Sequence, residues 1–168
     1  MKKKGMMLLE ETLKIILAVV CIVVLVLLIV LIYFAITNAD HLTQAKYSIG
    51  RISDTITSIK ANEISYGSVD GLNPISWDLI SFTGNYKKPN SCAGINCLCI
   101  CKSASSLSSD ILLKYILKDQ IERCNKNGYC LNEKNLSQFE TISIDKKALT
   151  DINITQEGGF IVIKRIIK

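Results

Sequence analysis

The sequence predicts an α+β fold. It reads as one long N-terminal helix, transmembrane in its first half and amphipathic in its second. A small disulfide-stapled antiparallel β domain with one short helix follows. Three observations predict this. Residues 15–36 are 22 consecutive residues without a charge. Residues 42–59 repeat apolar side chains at spacings of three and four. Beyond them, short alternating segments broken by Gly, Asn and Ser clusters share six cysteines. The expected organisation is a basic leader at 1–5, a transmembrane helix at 6–36, an amphipathic helix at 37–64 and an extracytoplasmic α+β domain at 65–168.

Composition supports the division. Of 168 residues, 49% are hydrophobic, and 28 of the first 36 are apolar. The remainder is roughly 41% apolar, ordinary for a soluble domain. A polytopic membrane protein, a disordered chain and a collagen-like chain are excluded. The net charge of +5 is mild and dispersed. It forms no basic stripe, so no nucleic-acid partner is expected.

At about 1.5 Å per residue, the uncharged run reaches roughly 33 Å, enough to cross a hydrocarbon core of about 30 Å. A helix satisfies its own backbone there. Lys2, Lys3, Lys4 and Lys14 lie on the N-terminal side, while Asp40 and His41 follow the other end. The excess of positive charge holds the N-terminus in the cytoplasm and sends the domain outside. A cleaved secretory signal fits poorly, because the run is long and no small-x-small site follows it promptly.

The residues before this run carry a second message. Lys2-Lys3-Lys4-Gly5-Met6-Met7-Leu8-Leu9-Glu10 is a basic stub ending in glycine, then apolar residues, then a glutamate at the mouth of the helix. The pattern resembles the type III signal of type IV pilins, pseudopilins and archaeal pilins. The resemblance covers about the first 36 residues. It implies a prepilin peptidase-like processing enzyme, a cut between Gly5 and Met6, and Met6 as the new N-terminus. It also implies Glu10 as an assembly residue. A carboxylate at the edge of hydrocarbon is costly unless paired, and a neighbouring subunit's amino group could pair with it. The macrodipole at a helix N-terminus favours the same charge. Solvated interface charges, with Glu10 pairing to Lys14 four residues on, are the plainer reading. Thr12 and Lys14 interrupt the apolar stretch that pilins usually keep, and Glu11 adds a second acid.

Residues 37–63 contain no proline, and Leu42, Ala45, Ile49, Ile52, Ile56 and Ile59 form one seam. Asp40, Lys46, Arg51, Asp54 and Lys60 lie largely off it. Gly50 weakens such a helix by about 1 kcal/mol relative to Ala without breaking it. A helix running from Met6 to Glu63 is expected, its seam packed against the domain. The alternative is a coiled-coil stalk.

In the outer domain, residues 65–74 read as a loop, rich in Ser, Gly and Asn. Residues 75–82, around Trp77, suit a strand, and residues 84–96 a second loop. Residues 97–102 (Cys-Leu-Cys-Ile-Cys-Lys) suit a short buried strand. Residues 111–123 have helical spacing, with Ser109 or Asp110 as N-cap. Residues 139–144 alternate, with Phe139, Ile142 and Ile144 inward. Residues 151–155 and 160–167 flank Gln156-Glu157-Gly158-Gly159, a hairpin signal.

Seven cysteines are present. Cys21 falls in the apolar run and packs as a small apolar residue. Cys92, Cys97, Cys99, Cys101, Cys124 and Cys130 fit a disulfide framework outside the membrane. If residues 97–101 form a strand, their three thiols share a face, and neighbours two apart do not easily bridge. Each then pairs with Cys92, Cys124 or Cys130, which leaves six connectivities open. Metal ligation by Cys-x-Cys-x-Cys is disfavoured by the spacing and by an oxidising compartment. No metal or cofactor is expected.

No Gly-rich phosphate loop, HExxH or GxSxG occurs. His41 is the single histidine, and an interfacial or capping role suits it better than catalysis. An enzyme is not expected. Asn135-Leu136-Ser137 and Asn153-Ile154-Thr155 are candidate glycosylation sites. The resemblance therefore implies a structural subunit of a type IV pilus-like surface filament. Its expected partners are the lipid bilayer, the processing enzyme and copies of itself. The alternative is a permanently anchored single-pass protein whose outer domain binds a partner or the cell envelope.

Overall fold

The computed structural model describes residues 3–61, 64–85, 87–103, 113–145 and 150–166, with side chains described from residue 12 onward in the first helix and from residue 118 in the second. The chain divides into two units, one ending at Ala39 and one running from Asp40 to Lys168. Helix α1 is Lys3–Lys60. In the first unit its side chains from Thr12 to Ile36 are all exposed. The fold is the α+β class that the sequence predicts.

The second unit contains two antiparallel sheets. β1 (Tyr66–Val69), β6 (Asp151–Glu157) and β7 (Phe160–Ile166) form one, in the order β1-β6-β7. β2 (Trp77–Phe82), β3 (Cys97–Lys102), β4 (Gly128–Asn132) and β5 (Ile142–Ser143) form the other, in the order β4-β3-β2-β5. A short 3-10 turn, Asn90–Cys92, precedes β3, and helix α2 (Leu113–Lys126) precedes β4.

The amphipathic seam packs into the domain's own core and not into a coiled-coil partner. Ala45, Ile49, Ile52, Ile56 and Ile59 of α1 are buried with Val69, Leu79, Leu98, Ile100, Ile152, Ile154, Ile161 and Ile163 from both sheets. Leu42, the first seam residue, stays 41% exposed. The helix ends at Lys60, short of the expected residue 64. Gly67 of β1 lies so close to the helix that a Cβ there would collide with Cγ2 of Thr55.

Several boundaries differ from the sequence reading. The expected loop at 65–74 holds β1. This strand is short and contains glycine, and only its pairing with β6 (Tyr66 opposite Thr155, Val69 opposite Ile152) makes it a strand. β4 was not expected either; β3 organises it, with Leu98 opposite Leu131 and Cys99 opposite Cys130. Residues 75–82 pair only from Trp77 onward. Of residues 139–144 only Ile142 and Ser143 pair. Phe139 is instead held through its backbone N–H and carbonyl by the Ser81 hydroxyl, at 3.1 Å each. Ile142 and Ile144 are buried as expected, and Phe139 partly so.

The hairpin turn is tighter than expected. β6 continues to Glu157, which faces Phe160. Gly158 and Gly159 alone form the turn, with φ of +57° and +84° that favour glycine. α2 continues to Lys126, while its expected caps, Ser109 and Asp110, lie outside the described residues.

Candidate functional site

Two regions carry the chemistry that the sequence singles out. The first is the N-terminal part of α1. Gly5, Met6 and Glu10 lie in its backbone, but their side chains fall outside those described. From Leu13 to Ile36 every large apolar side chain is 43–66% exposed. This helix is long and apolar enough to cross a membrane. Thr37 donates its hydroxyl to the carbonyls of Tyr33 and Phe34, at 3.0 and 3.2 Å. That back-bonding removes an unpaired polar group from the apolar end. Cys21 is a free thiol on this helix and is exposed.

The second region is built on β3. Strand alternation sends Leu98 and Ile100 to the core shared with α1. It sends Cys97, Cys99 and Cys101 to the opposite face, where they are fully buried with Ile80, Phe82, Ile121 and Cys124. Each of these three sulfurs meets a partner from another element. Cys97 bonds Cys92 of the 3-10 turn, Cys99 bonds Cys130 directly across on β4, and Cys101 bonds Cys124 of α2. This is one of the six pairings left open by the strand argument.

The cluster is tightly packed. Cys99 Sγ lies 3.8 Å from Cys92 Sγ and 3.9 Å from Cys97 Sγ, so two bridges touch. Gly128 opens β4 where a Cβ would lie 2.7 Å from the Cys124 carbonyl and 2.9 Å from Cys101 Sγ. Only glycine lets α2 turn into β4 this close to the bridge. Arg123 anchors the same helix end. It donates to the Lys102 carbonyl and to Asp119, and it lies 3.9 Å from the buried Asp78. Disulfides thus replace much of the apolar volume that a small second core lacks.

His41 does not cap a helix. It lies inside α1, half-buried, and its ring packs near Trp77 with centroids 6.2 Å apart. Its Nδ1 is buried without a hydrogen-bond partner. Asn135 is exposed on the turn after β4. Its N–H donates to Glu133 Oε1 and its carbonyl accepts from Ile161. Asn153 is half-buried in the central strand β6, opposite Ser68 and Lys164. The two sequons therefore differ in access, which sequence spacing did not reveal.

The sequence reading also missed a polar groove. Lys88 donates its amine to the Gly94 carbonyl and to Asn96 Oδ1, at 3.0 Å each. Lys134 lines the same groove. The loop glycines and amides gave no periodic signal that would have marked it.

No protein-family model, curated protein or solved structure matches the chain. The fold and the sites define a class in general terms: a disulfide-rich α+β domain built onto a helix that is long and apolar enough to span a bilayer.

Proposed function

We propose that the chain is a structural subunit of a type IV pilus-like surface filament, assembled through its N-terminal apolar helix. The observation that carries this reading is the order of features on one helix. The basic stub, Gly5 and Glu10 stand immediately before the uncovered apolar segment, and the same helix then contributes Ala45 to Ile59 to the domain's core. A plain anchor needs the apolar segment but gives no reason for glycine and glutamate at those two positions.

Burial energetics bear on what the segment requires. Uncovering one large aliphatic side chain in water costs about 1.5–3 kcal/mol. Eighteen such side chains between Leu13 and Ile36, with Tyr33 and Phe34, must therefore be covered, by lipid before assembly and by neighbouring copies after it. The lysines before the segment set the N-terminus in the cytoplasm and the disulfide-bonded domain outside. Three bridges agree with an oxidising compartment. The role is structural and not catalytic.

The test is the mature N-terminus. The chain is expressed in membranes together with a prepilin peptidase and analysed by intact mass and N-terminal sequencing. A first residue of Met6 is expected. A chain that still begins at Met1 overturns the proposal.

A further inference from the structure

We propose that the loop at residues 73–76, together with Leu42 of α1, is a lipid-contact surface that seats the domain on the headgroup–acyl boundary of a bilayer. The inference rests on the membrane reading of the apolar segment and is independent of filament assembly. Four contacts run in order down α1 and fix the end of the domain that this loop occupies. Gly67 lies against Thr55, and the Asp70 carbonyl accepts from Arg51 at 2.8 Å. The Asn73 N–H donates to Ser48 Oγ at 3.0 Å, and the Trp77 ring centroid lies 6.2 Å from that of His41. Residues 67–77 therefore descend toward Asp40, where the domain begins. Asp40 follows the apolar segment in the chain, and Leu42 comes six residues after Ile36. The loop and Leu42 thus share the end at which the chain enters the domain.

The loop holds an apolar side chain outward. The Ser76 N–H donates to the Ile144 carbonyl at 2.8 Å, and Asn73 is fixed on Ser48, so the backbone is pinned on both sides of Ile75. Pro74 and Trp77 are buried, while Ile75 between them is 40% exposed. Ser76 keeps a φ of +63°, a left-handed conformation that residues other than glycine seldom adopt. Such backbone persists only where its surroundings impose it. A single exposed isoleucine is ordinary on a protein surface. Here it is displayed by a pinned, strained loop, and Leu42 at the same end is exposed as well.

The charges at this end select the kind of lipid contact. Residues 71–77 carry no charge, and residues 40–48 of α1 carry only Asp40 and Lys46. Asp40 accepts from Gln44 at 3.0 Å. The two charges offset each other, so attraction to anionic headgroups is not the driving force. Burial of Ile75 and Leu42 at the acyl boundary is, and a zwitterionic bilayer suffices for it.

The experiment reads depth directly. The full chain carrying Cys21→Ser is reconstituted in phosphatidylcholine vesicles with one nitroxide, attached at Ile75→Cys, Phe160→Cys or Val26→Cys. Intact mass verifies one label and three bridges, and circular dichroism the fold. Electron paramagnetic resonance then compares relaxation by oxygen, which concentrates in hydrocarbon, with relaxation by a nickel chelate, which stays in water. Phe160 is the control for exposure alone. It is 53% exposed, but it sits beside the β6–β7 turn, beyond the pairing of Thr155 with Tyr66, and so at the other end of the domain. The oxygen-to-nickel ratio is expected to be several-fold higher at residue 75 than at residue 160, and highest at residue 26. A ratio at residue 75 no higher than at residue 160, with residue 26 in hydrocarbon, overturns the lipid contact alone. A water-like ratio at residue 26 overturns the membrane reading and the contact with it.

Discussion

Lys60 Nζ lies 2.6 Å from Glu133 Oε2, joining the last residue of the long helix to the turn after β4, 73 residues later. The pair is asymmetric. The Lys60 side chain is 41% exposed and that of Glu133 only 9%. Glu133 also accepts from the Asn135 N–H through Oε1, at 3.1 Å. Removing the lysine leaves a mostly buried carboxylate with one partner. Removing the charge from Glu133 leaves a lysine that water can solvate. Lys60→Met should therefore cost about 1–3 kcal/mol in unfolding free energy. Glu133→Gln in the same chain should return part of it, with a coupling of about 1 kcal/mol. Urea unfolding of the single and double variants reads this directly, and purely additive effects would contradict the pairing.

The seam of α1 offers a sharper contrast. Ile52 is fully buried between the sheets, whereas Leu42, on the same seam, is 41% exposed. Ile52→Ala should destabilise the domain by about 2–5 kcal/mol through lost burial and a residual cavity. Leu42→Ala should stay within about 0.5 kcal/mol. Comparable losses at the two positions in thermal or urea unfolding would mean that Leu42 is covered by something beyond its own chain.

The three bridges should not contribute equally. They close loops with sequence separations of 5, 31 and 23 residues. Chain entropy then assigns roughly 2 kcal/mol to Cys92–Cys97 and between 3 and 4 kcal/mol to each of the others. Paired alanine variants avoid burying stray hydroxyls and make the comparison fair. The expected midpoint order is wild type, then Cys92→Ala/Cys97→Ala, then the other two pairs close together. A larger loss from the short loop would show that packing in the sulfur cluster outweighs loop closure.

Filament assembly should depend on Glu10 and not on Glu11. Glu10→Gln keeps size and polarity while removing the charge that a neighbour's amino group would pair with in an apolar setting. Cleavage after Gly5 should continue, while surface filament falls by at least about tenfold, the loss expected from roughly 1.4 kcal/mol per subunit contact. Glu11→Gln should leave both intact. Immunoblotting of sheared filaments against whole membranes separates the two steps, and wild-type filament levels from Glu10→Gln would remove its assembly role.

Much of the fold was legible because periodicity reports which side of an element is covered. The seam from Ala45 to Ile59, the alternation through Cys97–Lys102 and the Gly158-Gly159 hairpin all emerged this way. β1 and β4 did not. Tyr66-Gly67-Ser68-Val69 and Gly128-Tyr129-Cys130-Leu131-Asn132 are short, contain glycine and have weak strand composition. Their extended form comes from partners, β6 for one and β3 for the other. The packing of His41 beside Trp77 was not legible for a related reason: it depends on a residue far along the chain.

The sequence alone determined where the apolar segment lies, which face of the following helix seeks cover, and that three thiols of one strand point the same way. These properties follow from local spacing, since a helix repeats every 3.6 residues and a strand every two. Tertiary structure decided the rest. It chose Cys92–Cys97, Cys99–Cys130 and Cys101–Cys124 from six allowed pairings, and it brought Lys60 to Glu133. It also placed β3 between two cores, apolar on one face and sulfur-rich on the other. Local periodicity states that a face will be buried. Which residue meets it there depends on the path of the chain between them, and no local pattern encodes that path.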